Sequence, residues 1–144
     1  MTLIVDANII GKLFLQEDDH DTAREFFKAL AGSKISAFAP NLLTLEVYAL
    51  GIHYGLDVSV PRNALDKLSA VITLLEPNEA IWERAYEMAQ SGHPKSGFPS
   101  LQDSIYHALA IETGGTFITA DKKHIAKAKD FGHIAELLDW ERYV

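Results

Sequence analysis

Four acidic residues in this chain stand where carboxylates are costly unless something neutralises them. Asp6 interrupts the apolar run LIVDANII, which starts at Leu3. Glu46 is the one charged residue between Pro40 and Asp57, in the segment PNLLTLEVYALGI. Asp103 opens the helical pattern of QDSIYHALAI behind the loop SGHPKSGFP, and Asp121 lies two residues beyond FIT in FITADKKH. A carboxylate in an apolar setting is strongly unfavourable unless it is paired, hydrogen-bonded or bound to a cation. Two unit charges about 4 Å apart repel by about 4 kcal/mol at an effective dielectric of 20. Gathered in one place, four such groups need cations. The chain has no cysteine, so thiolate ligands are excluded, and hard oxygen donors select Mg²⁺ or Mn²⁺ over Zn²⁺. Cations held this way bind a phosphodiester oxygen, lower the pKa of an attacking water and stabilise the leaving oxygen. The chemistry implied is phosphodiester hydrolysis.

Each acid also has a plainer reading. Asp6, Asp103 and Asp121 could be N-caps at strand-to-helix turns, and Glu46 could pair with a Lys or Arg. The elements that carry them favour the cluster. TLIVD, KISAFAP, VITLLEP and TFIT are short apolar runs that predict strands covered on both faces. Between them lie helical patterns: one from about Asn8, then DTAREFFKALAG with Asp21 as cap and Gly32 as stop, then PNLLTLEVYALGI starting at Pro40 and Asn41. On that third helix Glu46 is expected to share an apolar stripe with Leu42, Leu45 and Ala49. SVPRNALDKLSA, NEAIWERAYEMA and the segment from Leu101 to the Gly114–Gly115 pair predict further helices, followed by a lysine-rich helix and a short strand near Ile134 to Leu138. Strands alternating with helices give an α/β fold, a three-layer α/β/α sandwich around a parallel sheet of four to five strands. Ligands in such folds bind outside the carboxyl ends of the strands, which is where Asp6 and Asp121 fall.

At 144 residues and 48% hydrophobic, the chain is expected to form a single domain over residues 1–144. The formal net charge of -7 argues against a protein that coats nucleic acid nonspecifically, because that binding is driven by Lys and Arg. It is compatible with a nuclease whose acids are neutralised by cations. No apolar run approaches the roughly 20 residues needed to span a bilayer, and the N-terminus has no leader-like pattern. A soluble, cytoplasmic protein is the expectation.

The same residues resemble the PIN domain ribonucleases, and among them the small toxins of the VapC type. The resemblance covers nearly the whole chain. VDAN matches the family's opening Asp-x-Asn/Ser/Thr, Glu46 its second acid, Asp103 in QDSIYHALAI its third, and TAD its closing Thr-x-Asp. It implies a metal-dependent endoribonuclease in which Asp6, Glu46, Asp103 and Asp121 hold Mg²⁺ or Mn²⁺ and act catalytically, supported by Asn8 and Thr119. It also implies an RNA substrate, an antitoxin protein as partner and a homodimer. Asn8 and Thr119 could equally be ordinary turn or cap residues. Many relatives carry an aromatic residue three positions after the last acid, where this chain has His124, which could contact RNA or cover the core. Lys122, Lys123, Lys127 and Lys129 form either a phosphate-binding patch beside Asp121 or a solvated face.

Other functions of an α/β sandwich fit less well. Neither G-x-G-x-x-G nor G-x-x-x-x-G-K-[ST] occurs, which removes the usual dinucleotide and nucleotide phosphate cradles. A haloacid-dehalogenase-like phosphatase would need an Asp where Asn8 stands. The six histidines form no ligand-like pair at i and i+4, and read as structural or surface residues. The alternative from another class is a non-catalytic PIN-like module that binds RNA or protein, although such a module has no use for mutually repelling acids.

Overall fold

The computed structural model describes residues 1–144. Five strands, β1 (Thr2–Val5), β2 (Ser36–Pro40), β3 (Ile72–Leu75), β4 (Thr116–Thr119) and β5 (Ile134–Glu136), pair in parallel in the order β3-β2-β1-β4-β5. Seven helices cover the sheet: α1 (Ala7–Gly11), α2 (His20–Ala31), α3 (Leu42–His53), α4 (Ser59–Leu68), α5 (Glu79–Gln90), α6 (Leu101–Thr113) and α7 (Lys122–Ala128). Short 3-10 turns follow at Lys129–Phe131 and Leu137–Arg142. This is the expected α/β/α sandwich.

Leu3, Ile4 and Val5 of β1 are fully buried, because the central strand is covered on both faces and both side-chain rows pack. The strand order reverses between β1 and β4, where Val5 lies opposite Ile118. A reversal of this kind splays the connections leaving the two strands apart and opens a crevice at their carboxyl ends. Asp6 and Thr119 stand at its mouth.

Helix boundaries follow local chemistry. Asn78 caps α5 by accepting from the Ile81 amide at 2.9 Å, and Ser100 caps α6 by accepting from the Asp103 amide at 3.1 Å. Gly114 ends α6 at φ 69, in the left-handed region that glycine enters without steric cost.

Three local expectations are corrected. Asp21 does not cap α2, which begins at His20 after Asp19. Asp19 makes no capping bond either, because its carboxylate is committed to the buried Lys12 ammonium at 2.8 Å, which Glu17 also contacts at 2.8 Å. On α3 the buried residues are Leu43, Val47 and Gly51, not the stripe of Leu42, Leu45 and Ala49. Leu45 is 73% exposed. The segment is apolar almost all round, so its periodicity does not single out a buried face; Gly51 sets that face, since a Cβ there would lie 2.9 Å from the Pro61 ring of α4. Finally, β5 ends at Glu136, and Leu137 turns its buried side chain into a 3-10 turn.

A Cβ at Gly115 would lie 2.6 Å from the backbone carbonyl oxygen of Thr2, inside the sheet where neither chain can yield. Gly115→Ala is expected to cost about 1–3 kcal/mol, the range for forced overpacking. Gly32→Ala, whose Cβ meets nothing closer than 3.8 Å, should be neutral or slightly stabilising. Thermal or urea melts of the two variants test this, and a Gly115→Ala protein as stable as wild type would contradict the close approach.

Candidate active site

Asp6 is the residue at which β1 becomes α1. Its amide donates to the Ile118 carbonyl at 3.3 Å, continuing the ladder by one step. Its side chain turns into the crevice, where Oδ1 accepts from the Asn8 amide at 3.4 Å and Oδ2 accepts from the Thr119 hydroxyl at 2.6 Å. The Thr119 oxygen in turn accepts from the Asp121 amide at 3.0 Å. One hydroxyl thus ties β1, β4 and the start of α7 together. Asp121 caps α7, with Oδ1 accepting from the amides of Lys123 at 3.0 Å and His124 at 3.2 Å. For Asp6 and Asp121 the cap reading therefore holds.

Asp103 sits in the first turn of α6, where Ser100 rather than Asp103 supplies the cap. Three residues on and so on the same helix face, Tyr106 is buried and stacked on Phe117, with ring centroids 5.6 Å apart. Its hydroxyl donates to Glu46 Oε1 at 2.8 Å, leaving Oε2 for another partner. Tyr106 had no signal in the sequence, because its role depends on α3 and α6 meeting across the sheet edge. Glu46 borders the buried face of α3 beside Val47 and is half-buried.

The carboxylates sense one another. Burial pushes the Asp6 carboxyl up to about 7; the Thr119 and Asn8 hydrogen bonds oppose this, and Asp103 and Glu46 add to it. Glu46 is raised by burial, eased by the Tyr106 hydroxyl and raised again by Asp103. Asp103 is raised by burial, eased by Ser100 and Lys127, and raised by Asp121. Tyr106 is held protonated, first by burial and then by the charges of Glu46, Asp6 and Asp103. All four acids are linked by these couplings.

The donor chemistry suits a hard divalent cation, although no three acidic or histidine side chains converge closely enough to form a closed cage. Mg²⁺ does not require one, since it is usually held by one or two carboxylates and keeps several waters. Glu46 and Asp121 each commit one named oxygen to the protein and keep the other.

Asn8 contributes its backbone amide to Asp6, while its exposed side chain lines a cleft of about 530 Å³ together with Tyr54, Asp121, Lys122 and Lys123. Lys122 and Lys123 are exposed beside Asp121. His124 is 2% exposed, which puts it in the core-covering position and not at the surface. It meets the equally buried His107 at 3.2 Å.

The PIN domain family model matches residues 3–130. Among solved structures, a chain of VapBC2 from Rickettsia felis, bound to a DNA fragment from its promoter, superposes with a TM-score of 0.71 at 14% identity, covering 94% of this chain and 98% of that one. A chain of VapBC-1 from nontypeable Haemophilus influenzae gives 0.72 at 15% identity, over 96% of this chain and 100% of that one. VapC20 of Mycobacterium tuberculosis, a sarcin-ricin loop cleaving toxin, gives 0.63 at 18% identity, over 78% and 83%. None of the curated proteins matches the sequence.

The folded chain keeps a proton on Asp6 to about pH 7, whereas an unfolded aspartate loses it near about 3.9. Between those values the folded state binds more protons, so this group lowers stability as pH rises through the window. Asp6→Asn abolishes that term. Its advantage in melting temperature over cation-free wild type should therefore grow from about pH 5 to about pH 8, by the equivalent of roughly 2–3 kcal/mol. Taking the difference cancels the opposite contribution of His107 and His124, which burial holds neutral down to about 4. An advantage independent of pH would show that Asp6 is ionised throughout.

Proposed function

Because the chain belongs to the PIN domain family, we propose that it is a divalent-cation-dependent endoribonuclease and the toxin of a toxin–antitoxin pair. The observation that supports this best is Asp6, a carboxylate 2% exposed at the switch point, held by two hydrogen bonds and pushed up by burial first and then by Asp103 and Glu46. Such a group is stabilised only by a proton or a cation. Bound Mg²⁺ or Mn²⁺ would supply charge to a scissile phosphate and acidify an attacking water.

The chain's own residues do the rest. Asp6, Glu46, Asp103 and Asp121 would hold the cation between them, one or two of them as direct ligands. Thr119 fixes the rotamer of Asp6 and the start of α7, and Tyr106 orients Glu46. Lys122 and Lys123 line the cleft beside Asp121, where ammonium groups attract the flanking phosphates of RNA. Hydrolysis adds the elements of water across one P–O bond, and the leaving oxygen takes up a proton.

Two partners accompany this reading. An antitoxin would place cationic side chains across the same acidic edge and compete with the cation for the carboxylates. A second copy of the chain would cover the outer face of α3, where Leu45 lies beside Trp82 of α5 and Leu101 of α6 and Ile52 (82% exposed) stands two turns further along the helix. No helix is long and apolar enough to cross a membrane.

Purified protein incubated with structured and unstructured RNAs should cleave in Mn²⁺ or Mg²⁺ and not in EDTA, and Asp6→Asn or Glu46→Gln should lower the rate at least about 100-fold. The cation should also raise the melting temperature, by linkage to a site present only in the folded state. RNA binding without cleavage in any cation would establish the binding-module alternative instead. Separately, Leu45→Asp with Ile52→Asp should convert a dimer to a monomer in light scattering. A dimer indifferent to both changes would place the interface elsewhere, and a wild-type monomer at high concentration would overturn the homodimer itself.

A further inference from the structure

Two buried imidazoles behind the carboxylate edge have no part in the chemistry above. His107 of α6 and His124 of α7 are both 2% exposed or less, and each stands at van der Waals range of Phe117, with ring centroids 5.9 and 5.8 Å from it. His107 Nε2 lies 2.6 Å from the Gly132 carbonyl oxygen, and His107 Nδ1 lies 3.2 Å from His124 Nε2. His124 Nδ1 has no hydrogen-bond partner and points at Asp103 Oδ2 from 4.0 Å.

The proton positions follow from the end of the chain. A carbonyl oxygen only accepts, so His107 Nε2 carries a hydrogen. Burial keeps the ring neutral, which leaves His107 Nδ1 as an acceptor, and His124 Nε2 must donate to it. A neutral His124 then has a bare lone pair on Nδ1, facing Asp103. In the opposite tautomer His124 would present an N–H to Asp103 from 4.0 Å, and a closer approach of the two would make it a hydrogen bond that holds the carboxylate back from a cation.

We propose that His107, anchored on the Gly132 carbonyl, is a positioning residue that locks His124 in the Nε2–H tautomer and thereby keeps the Asp103 carboxylate free to bind a divalent cation. The proposal rests on the reading of Asp103 as a cation ligand. Histidine is otherwise an awkward occupant for this position, because two buried imidazoles cost desolvation that an apolar pair would avoid. The geometry gives that cost a purpose: the donor that could sequester Asp103 is directed away from it.

The test has two parts. In cation-free protein labelled with ¹⁵N-histidine, long-range ¹⁵N–¹H spectra at neutral pH should show both His107 and His124 as Nε2–H tautomers; a hydrogen on His124 Nδ1 overturns the proposal. Mn²⁺ affinity read by electron paramagnetic resonance gives the second part. His107→Leu releases His124 to donate to Asp103 and should weaken Mn²⁺ binding about tenfold, the lower end of the effect of residues behind a metal ligand. His124→Phe, which cannot donate, should bind Mn²⁺ within about twofold of wild type, and adding it to His107→Leu should restore affinity. A double variant as weak as His107→Leu, or a His107→Leu protein with unchanged affinity, defeats the proposal while leaving the ribonuclease reading intact. Wild-type protein that neither binds Mn²⁺ nor cleaves RNA defeats both.

Discussion

The structure is organised around one costly placement, a carboxylate buried at the carboxyl end of the central strand. Asp6 lies one residue past β1, between β2 and β4, where apolar packing on both sheet faces leaves it 2% exposed. Two hydrogen bonds, from the Asn8 amide and the Thr119 hydroxyl, do not offset that desolvation, and the group is pushed up to about 7. Stability alone would favour an apolar residue here. The position makes physical sense when a cation completes it.

Around that placement the neighbouring elements are held in register by groups with a second duty. Thr119 donates to Asp6 and accepts from the Asp121 amide, so the spacing between β1 and the start of α7 is set by one hydroxyl. Asp121 caps α7 with one oxygen. Tyr106 carries the Glu46 carboxylate on its hydroxyl while its ring packs on Phe117 of β4. The site and the fold therefore share residues: the carboxylates are positioned by bonds that also terminate strands and start helices. Repulsion among Asp6, Glu46 and Asp103 opposes the fold until a cation or a proton intervenes.

Much of this was legible in the sequence, for identifiable reasons. An acid one or two residues after a short apolar strand, as in LIVDAN and FITAD, marks the carboxyl edge of a parallel sheet, and both residues lie there. Glu46 stood out as a lone charge in an apolar helix. The face of α3 was not legible, because a helix apolar all round carries no phase, and the outward side with Leu45 and Ile52 emerged only from the packing of Gly51 on Pro61. Asp21 does not cap α2 because the helix starts at His20, one residue before it, and Asp19 at the cap position is drawn to Lys12 across a loop. Tyr106 and the His107–His124 pair were invisible for a related reason: their partners are 60, 25 and 17 residues away in sequence, and only tertiary structure brings them together.

The central claim, that Asp6 is a buried acid completed by a cation, can be measured on the carboxyl itself. A ¹³C-detected titration of the Asp6 side chain in cation-free protein should show a midpoint near 7, and saturating Mg²⁺ should lower it by more than about 2 units, because a bound cation favours the ionised form. A midpoint that is the same with and without Mg²⁺, or one near the ordinary aspartate value in the cation-free protein, would contradict the account.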